Sequence, residues 1–140
     1  MKYQIKYERE LRCSMIHSGS GNEIETDAPK DNNGKGEAFS PTDLTAVSLA
    51  SCMVTVMGIY MKKNGYLEPR IHGIVEKKMN SSPRRIARIE VQLLVEIHEK
   101  DFSEDLKSSL QKVAEDCPVA LSLHPETKQL LKLEFKTYLA

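Results

Sequence analysis

Apolar and polar residues alternate from the start of the chain. Tyr3, Ile5 and Tyr7 are separated by Gln4 and Lys6, the period of two expected of a strand with one buried face. A second strand follows, with Leu11, Cys13 and Met15 on one face and Arg12, Ser14 and Ile16 on the other. The turn-rich SGSGN at 18 to 22 then leads to a short strand around Ile24, so the three segments predict an antiparallel meander. From Thr26 to Glu37 the sequence TDAPKDNNGKGE is rich in turn formers and lacks apolar periodicity, which predicts a surface loop.

Ser40-Pro41-Thr42-Asp43 is a strong helix start. Ser can accept from the free amides, Pro suits the first helical position, and Asp favours the positive end of the dipole. The helix is expected to run to about Asn64. Between Leu44 and Met61 nearly every residue is apolar or small, so the segment has no wide polar face and should be buried on most sides. One chain of this size has little with which to cover it, and a second copy is expected to supply part of the cover.

Arg70 to Met79 and Ile86 to His98 then predict a hairpin joined across Ser81-Ser82-Pro83, with Ile89, Val91, Leu93, Val95 and Ile97 on one face. Phe102, Leu106, Leu110 and Val113 recur at helical spacing and predict an amphipathic helix that stops before Cys117-Pro118. A short apolar turn, PVALSL, leads to His124-Pro125, and Leu131, Leu133 and Phe135 close the chain as a last strand.

At 140 residues with 40% hydrophobic content, the chain is expected to form a single domain over 1–140. Lys plus Arg and Asp plus Glu both number 20, which gives no electrostatic reason to expect nucleic acid or a membrane surface as partner. The N-terminus lacks the apolar run of a signal peptide, and no stretch is read as a membrane span. Three cysteines without close spacing fit neither a secreted disulfide framework nor a zinc ribbon. They suit a reducing compartment, so the cytoplasm is the expected location.

Taken alone, Cys52 in the apolar helix reads as a small buried hydrophobe. Cys117 differs, because Pro118 can open a new helix and place the sulfur where free amides favour a thiolate. Its alternative is a structural thiol at a helix terminus. Cys13, alternating with Leu11 and Met15, reads as core packing.

Phe39 to Met57, FSPTDLTAVSLASCMVTVM, together with Cys117-Pro118-Val119, resembles the OsmC/Ohr family of organic hydroperoxide reductases. The sharpest element is Pro41 at the helix start with Cys52 eleven residues on, paired with the second Cys before Pro. The order of strands, long apolar helix, hairpin, amphipathic helix and last strand extends the likeness over nearly the whole chain.

The resemblance implies an α+β fold in which antiparallel sheets wrap around long central helices in an intertwined homodimer. It also implies a thiol peroxidase that needs no cofactor or metal. Cys52 would attack the peroxide and become a sulfenic acid, and Cys117 would condense with it to a disulfide. The two Cα atoms must then come within roughly 4.4 to 6.8 Å. A dithiol reductant, such as a lipoylated or thioredoxin-like protein, would regenerate the thiols. Apolar surroundings would favour alkyl or fatty-acid hydroperoxides.

In the resembled family an Arg paired with a Glu assists the nucleophile. That Glu directly follows the helix-start Pro, where this chain has Thr42, with Asp43 one place on. Asp43 is read first as a helix cap, and Glu37 in the preceding loop is another candidate carboxylate. Arg12 is the nearest match for the Arg, with Arg9 the alternative, and neither sits in a glycine turn. A zinc site from Cys13, His17, Cys52 and Cys117 has no supporting spacing and would consume the reactive thiols. The basic residues Lys77, Lys78, Arg84 and Arg85 read as a solvated hairpin tip. Two other readings share the fold: a non-catalytic dimer that binds a hydrophobic ligand, and a thiol redox sensor.

Overall fold

The structure is a computed structural model that describes residues 1–139, in two compact units: Met1–Thr45 and the chain from Ala46 onward. In the first unit β1 (Gln4–Arg9), β2 (Arg12–Ile16) and β3 (Glu23–Asp27) form an antiparallel sheet in sequence order. Ile5 lies opposite Met15, which lies opposite Ile24, and Tyr7 lies opposite Cys13. The expected alternation therefore exists, but the expected burial does not. Tyr3, Ile5, Tyr7 and Ile24 are all exposed, with Ile5 at 72%, and every residue of β1 is exposed. Cys13 is half-buried on this apolar face and lies outside the core.

β3 runs on through Asp27, so the loop begins at Ala28, two residues later than the composition of the segment suggests. Thr26 and Asp27 are both buried. The loop folds back on itself, because the Gly36 N–H donates to the Ala28 carbonyl and the Gly34 N–H to that of Pro29.

Helix α1 (Pro41–Lys63) begins in the first unit and continues into the second. Its start is a reciprocal cap. The Asp43 N–H donates to Ser40 Oγ at 3.1 Å, and the Ser40 N–H donates to an Asp43 carboxylate oxygen at 2.9 Å. By length and apolarity α1 could cross a membrane, contrary to the sequence reading. The structure uses it as a core helix, burying Ala46, Leu49, Ala50, Met53, Met57 and Met61. Burial on most sides is not observed, because Ser48, Ser51, Thr55 and Ile59 form an exposed stripe.

The second unit is built on a three-stranded sheet ordered β4-β5-β6. β4 (Arg70–Ser81) and β5 (Arg84–His98) form the expected hairpin across Ser82-Pro83. β6 (Lys128–Tyr138) pairs with β5 in parallel, so this sheet is mixed where antiparallel pairing was expected. The physical reason is the connection: α2 (Glu104–Glu115) and α3 (Pro118–Ser122) return the chain to the starting end of β5 before β6 begins. Ile89, Val91, Leu93, Val95 and Ile97 present one buried face of β5 to the core. Leu106, Leu110 and Ala114 of α2 join the same core as the α1 methionines. Each such fully buried aliphatic side chain contributes about 1.5 to 3 kcal/mol, and these contacts fix the backbone that carries the two downstream cysteines.

Candidate active site

Cys52 and Cys117 both belong to the second unit and come together there. Cys52 lies one residue before Met53 on α1, half-buried at the edge of the core. Cys117 is fully buried and is the N-cap of α3, with Pro118 at the first helical position. Its sulfur accepts a hydrogen bond from the Ala120 N–H at 3.4 Å and also interacts through a hydrogen bond with the thiol of Cys52. Two cysteines remote in sequence thus share one thiol–thiol contact, and both are free thiols.

The electrostatics of Cys117 depart from the sequence expectation of a helix-stabilised thiolate. Burial pushes its pKa above the ordinary thiol value. The Ala120 N–H opposes this, but the neighbouring Cys52 raises it further, and the net direction is upward. Desolvation outweighs the amide because α3 is a single short turn whose start lies inside the core. Cys117 is therefore a thiol held in proton-bearing form.

Arg12 belongs to the first unit, on β2. Its Nε donates to one carboxylate oxygen of Asp27 at 2.7 Å and its Nη2 to the other at 2.8 Å, a two-point pair. Nη2 also reaches Glu37 at 3.2 Å, and Nη1 lies 3.7 Å from Glu25. The arginine nearest to a functional match is thus ion-paired, and Glu37 is among its partners as the sequence allowed. Asp27 is the partner that sequence reasoning missed, since its segment was assigned to a loop. The signal was present: a hairpin that sets Ile16 opposite Glu23 must set Arg12 opposite Asp27. The Asp27 carboxyl is held well below the usual carboxylate range, to about 2. The Arg12 hydrogen bonds are the main cause, desolvation works against them, and the Glu37 N–H reinforces them.

Arg9 sits in the β1–β2 turn, where Arg9, Glu10 and Leu11 all have left-handed backbone, with φ of 75°, 50° and 63°. Such a run of non-glycine residues is strained, and it is tied down by Ala28 N–H donating to the Leu11 carbonyl and by a Lys35–Glu10 ion pair at 2.7 Å. Asp43 caps α1, the role read for it first, and Thr42 Oγ1 lies 3.3 Å from Ser40 Oγ. His17 is exposed, hydrogen-bonded to Ser20 and stacked on Tyr3. At the β4–β5 tip, Arg85 pairs with Glu126 at 2.8 Å.

A two-sheet α+β fold that carries a cysteine pair, one half-buried on a long apolar helix and one buried at the cap of a later Pro-initiated turn, defines a class of dithiol protein. The OsmC family profile, described as OsmC-like protein, matches residues 34–131, and the chain belongs to that family. Among solved structures it is similar to a protein from Psychrobacter arcticus named as an osmotic stress induced and detoxification response protein. The identity is 39%, each chain is covered to 96%, and the TM-score is 0.88. The fold also matches an organic hydroperoxide resistance protein OsmC from Legionella pneumophila, at 15% identity, 95% coverage of each chain and TM-score 0.65. The organic hydroperoxide resistance protein OhrB of Bacillus subtilis matches at 20% identity, covering 95% of this chain and 96% of that one, with TM-score 0.59. No curated protein sequence matches the chain at a significant level.

Proposed function

We propose that this OsmC-family chain is a thiol-dependent peroxidase that reduces organic hydroperoxides, with Cys52 as nucleophile, Cys117 as resolving thiol and Arg12 as the assisting cation. The interaction between the Cys52 and Cys117 thiols carries the reading, because a disulfide mechanism needs the two sulfurs to be neighbours. The organic hydroperoxide resistance proteins among its structural relatives support the substrate class.

In the first step the Cys52 thiolate attacks the terminal peroxide oxygen. The O–O bond breaks, the alkoxide takes a proton and leaves as alcohol, and Cys52 becomes a sulfenic acid. In the second, the Cys117 sulfur attacks the sulfenic sulfur, an S–S bond forms, and hydroxide departs with the Cys117 proton as water. An external dithiol then exchanges with the disulfide, becomes oxidised itself and restores both thiols. Retention of the Cys117 proton keeps the two roles distinct, since the half-buried Cys52 is the sulfur open to substrate.

Residues 1–140 act as one OsmC-like domain in this reading, in the cytoplasm and as a homodimer. The exposed apolar face of the first sheet and the uncovered stripe of α1 both supply surface for a second copy. The test is to mix reduced protein with cumene or fatty-acid hydroperoxide and count thiols. Two per chain should be lost, Cys52→Ser should abolish the loss, and consumption of peroxide by Cys52→Ser at the parental rate would overturn the assignment.

A further inference from the structure

We infer that Gln129 is a positioning residue for the resolving thiol: its side-chain amide, on the core face of β6, ties down the helical turn that Cys117 caps. This inference rests on the proposed role of Cys117 and adds the group that holds its sulfur in place. The β6 register sets Gln129 beside Ile89, Leu131 beside Val91, Leu133 beside Leu93 and Phe135 beside Val95, and all four β5 partners are buried. Leu131, Leu133 and Phe135 pack against the core, so the alternation calls for an apolar residue at 129 as well. A glutamine there carries a desolvation cost that a hydrogen bond must offset.

That bond goes to α3. Gln129 Nε2 donates to the Ala120 carbonyl at 2.9 Å. Ala120 is among the last four residues of α3, whose carbonyls no later turn of the same helix reaches. The N–H of Ala120 in turn donates to Cys117 Sγ at 3.4 Å. One residue is therefore held on both sides, its carbonyl by Gln129 and its N–H by the thiol.

Packing alone does not fix this turn. α3 has five residues, too few to be stable in isolation, and Ala120 is its one buried residue, while Leu121 is 72% exposed. Two other ties flank it: Ser122 Oγ donates to the Pro118 carbonyl at 2.7 Å, and Thr127 Oγ1 donates to the Ile86 carbonyl at 3.0 Å. Neither involves Ala120. Gln129 is thus what anchors the Ala120 peptide, and through it the Cys117 sulfur, to the second sheet. In the condensation step that sulfur attacks the Cys52 sulfenic sulfur, the S–S bond forms as the S–O bond breaks, and hydroxide leaves with the Cys117 proton as water. Attack of Cys52 on the peroxide makes no use of Cys117. Loss of the amide should therefore slow the second step and spare the first.

The experiment uses the full chain in a Cys13→Ser background with cumene hydroperoxide. It follows sulfenic acid formation by trapping with a dimedone-type probe and disulfide closure by mass mapping. Gln129→Met keeps the length of the side chain without its donor. It should form the sulfenic acid at the parental rate and close the disulfide roughly 10- to 100-fold more slowly, the scale of a misplacement of about 1 Å. Gln129→Glu keeps the shape but sets a carboxylate against a carbonyl, and should close at least as slowly near neutral pH, so it decides the matter if Gln129→Met fails to fold. In a Cys117→Ser background Gln129→Met should leave both the formation and the lifetime of the sulfenic acid unchanged. Parental closure in Gln129→Met or Gln129→Glu, or equal slowing of both steps with a lowered urea midpoint, would overturn the positioning role alone. A parental chain that forms no sulfenic acid would overturn the peroxidase reading instead.

Discussion

The Cys117 thiol shares a hydrogen bond with the Cys52 thiol while its own proton is held more tightly than in an ordinary cysteine. Burial is the leading cause, and the Cys52 contribution is secondary to it. In a Cys13→Ser background, iodoacetamide near neutral pH is therefore expected to modify Cys52 well before Cys117, as read by peptide mass mapping. Raising the pH should bring Cys117 into reaction only above the usual thiol range. In Cys52→Ser the inflection of Cys117 should move down, since one cause is weakened, yet stay raised because it remains buried.

Removing the second thiol should stop the cycle halfway. Cys117→Ser is expected to react with one equivalent of organic hydroperoxide, accumulate a Cys52 sulfenic acid that a dimedone-type probe traps, and turn over no further with a dithiol protein. Parental protein given the same oxidant should form an intramolecular disulfide and resist the probe. Sustained catalysis by Cys117→Ser would remove Cys117 from the resolving role.

Much of this arrangement was legible in the sequence, and the failures have physical causes. The start of α1 was readable because Ser40, Pro41 and Asp43 each satisfy a local rule, and the structure shows the reciprocal cap they form. The core face of β5 followed from the alternation of Ile89 through Ile97, with Leu94 the exception. Asp27 was lost because its burial and pairing are set by Arg12 on another strand, while its own neighbours are turn formers. The parallel pairing of β6 depends on where α2 and α3 return the chain, and residue alternation carries no information about strand direction. The raised thiol of Cys117 depends on desolvation by distant segments, which outweighs the local helix-start rule.

The Arg12–Asp27 pair should leave a mark on acid stability. The Asp27 carboxyl has a pKa of about 2 when folded, against an ordinary value of 3.8. Above pH 3.8 both folded and unfolded chains carry the ionised group and the stabilisation is complete. As pH falls from there toward 2, the unfolded chain gains a proton that the folded one refuses, and the stabilisation is lost. Urea midpoints measured across this window should fall more steeply for the parent than for Asp27→Asn. A residual slope will remain, because Glu8, Glu10 and Glu90 are shifted in the same direction.

The helix that carries Cys52 should be sensitive on one side only. Met57 is fully buried in the core, and Met57→Ala should cost about 2 to 5 kcal/mol in denaturant unfolding. Ser40→Ala removes the hydroxyl that accepts from the Asp43 N–H and should cost about 1 kcal/mol. Thr55→Ala, on the exposed stripe, should lie within about 0.5 kcal/mol of the parent when measured on a monomeric variant.

The uncovered face of the first sheet supplies the test of self-association. Ile5 and Ile24 flank Met15 on one face of the sheet and are exposed to 72% and 47%. Apolar surface gathered on one face favours a partner, whereas the opposite face carries Lys6, Glu8, Arg12 and Glu25 and holds its own ion pairs. Parental protein is expected to elute at twice the chain mass by light scattering. Ile5→Lys combined with Ile24→Lys places two charges where the second copy would bury them, and the mass should fall to that of one chain. The first-unit ion pairs lie on the other face, so the variant should keep its secondary structure by circular dichroism. A variant that stays dimeric would exclude this face from the interface and leave the exposed stripe of α1 as the surface to test next.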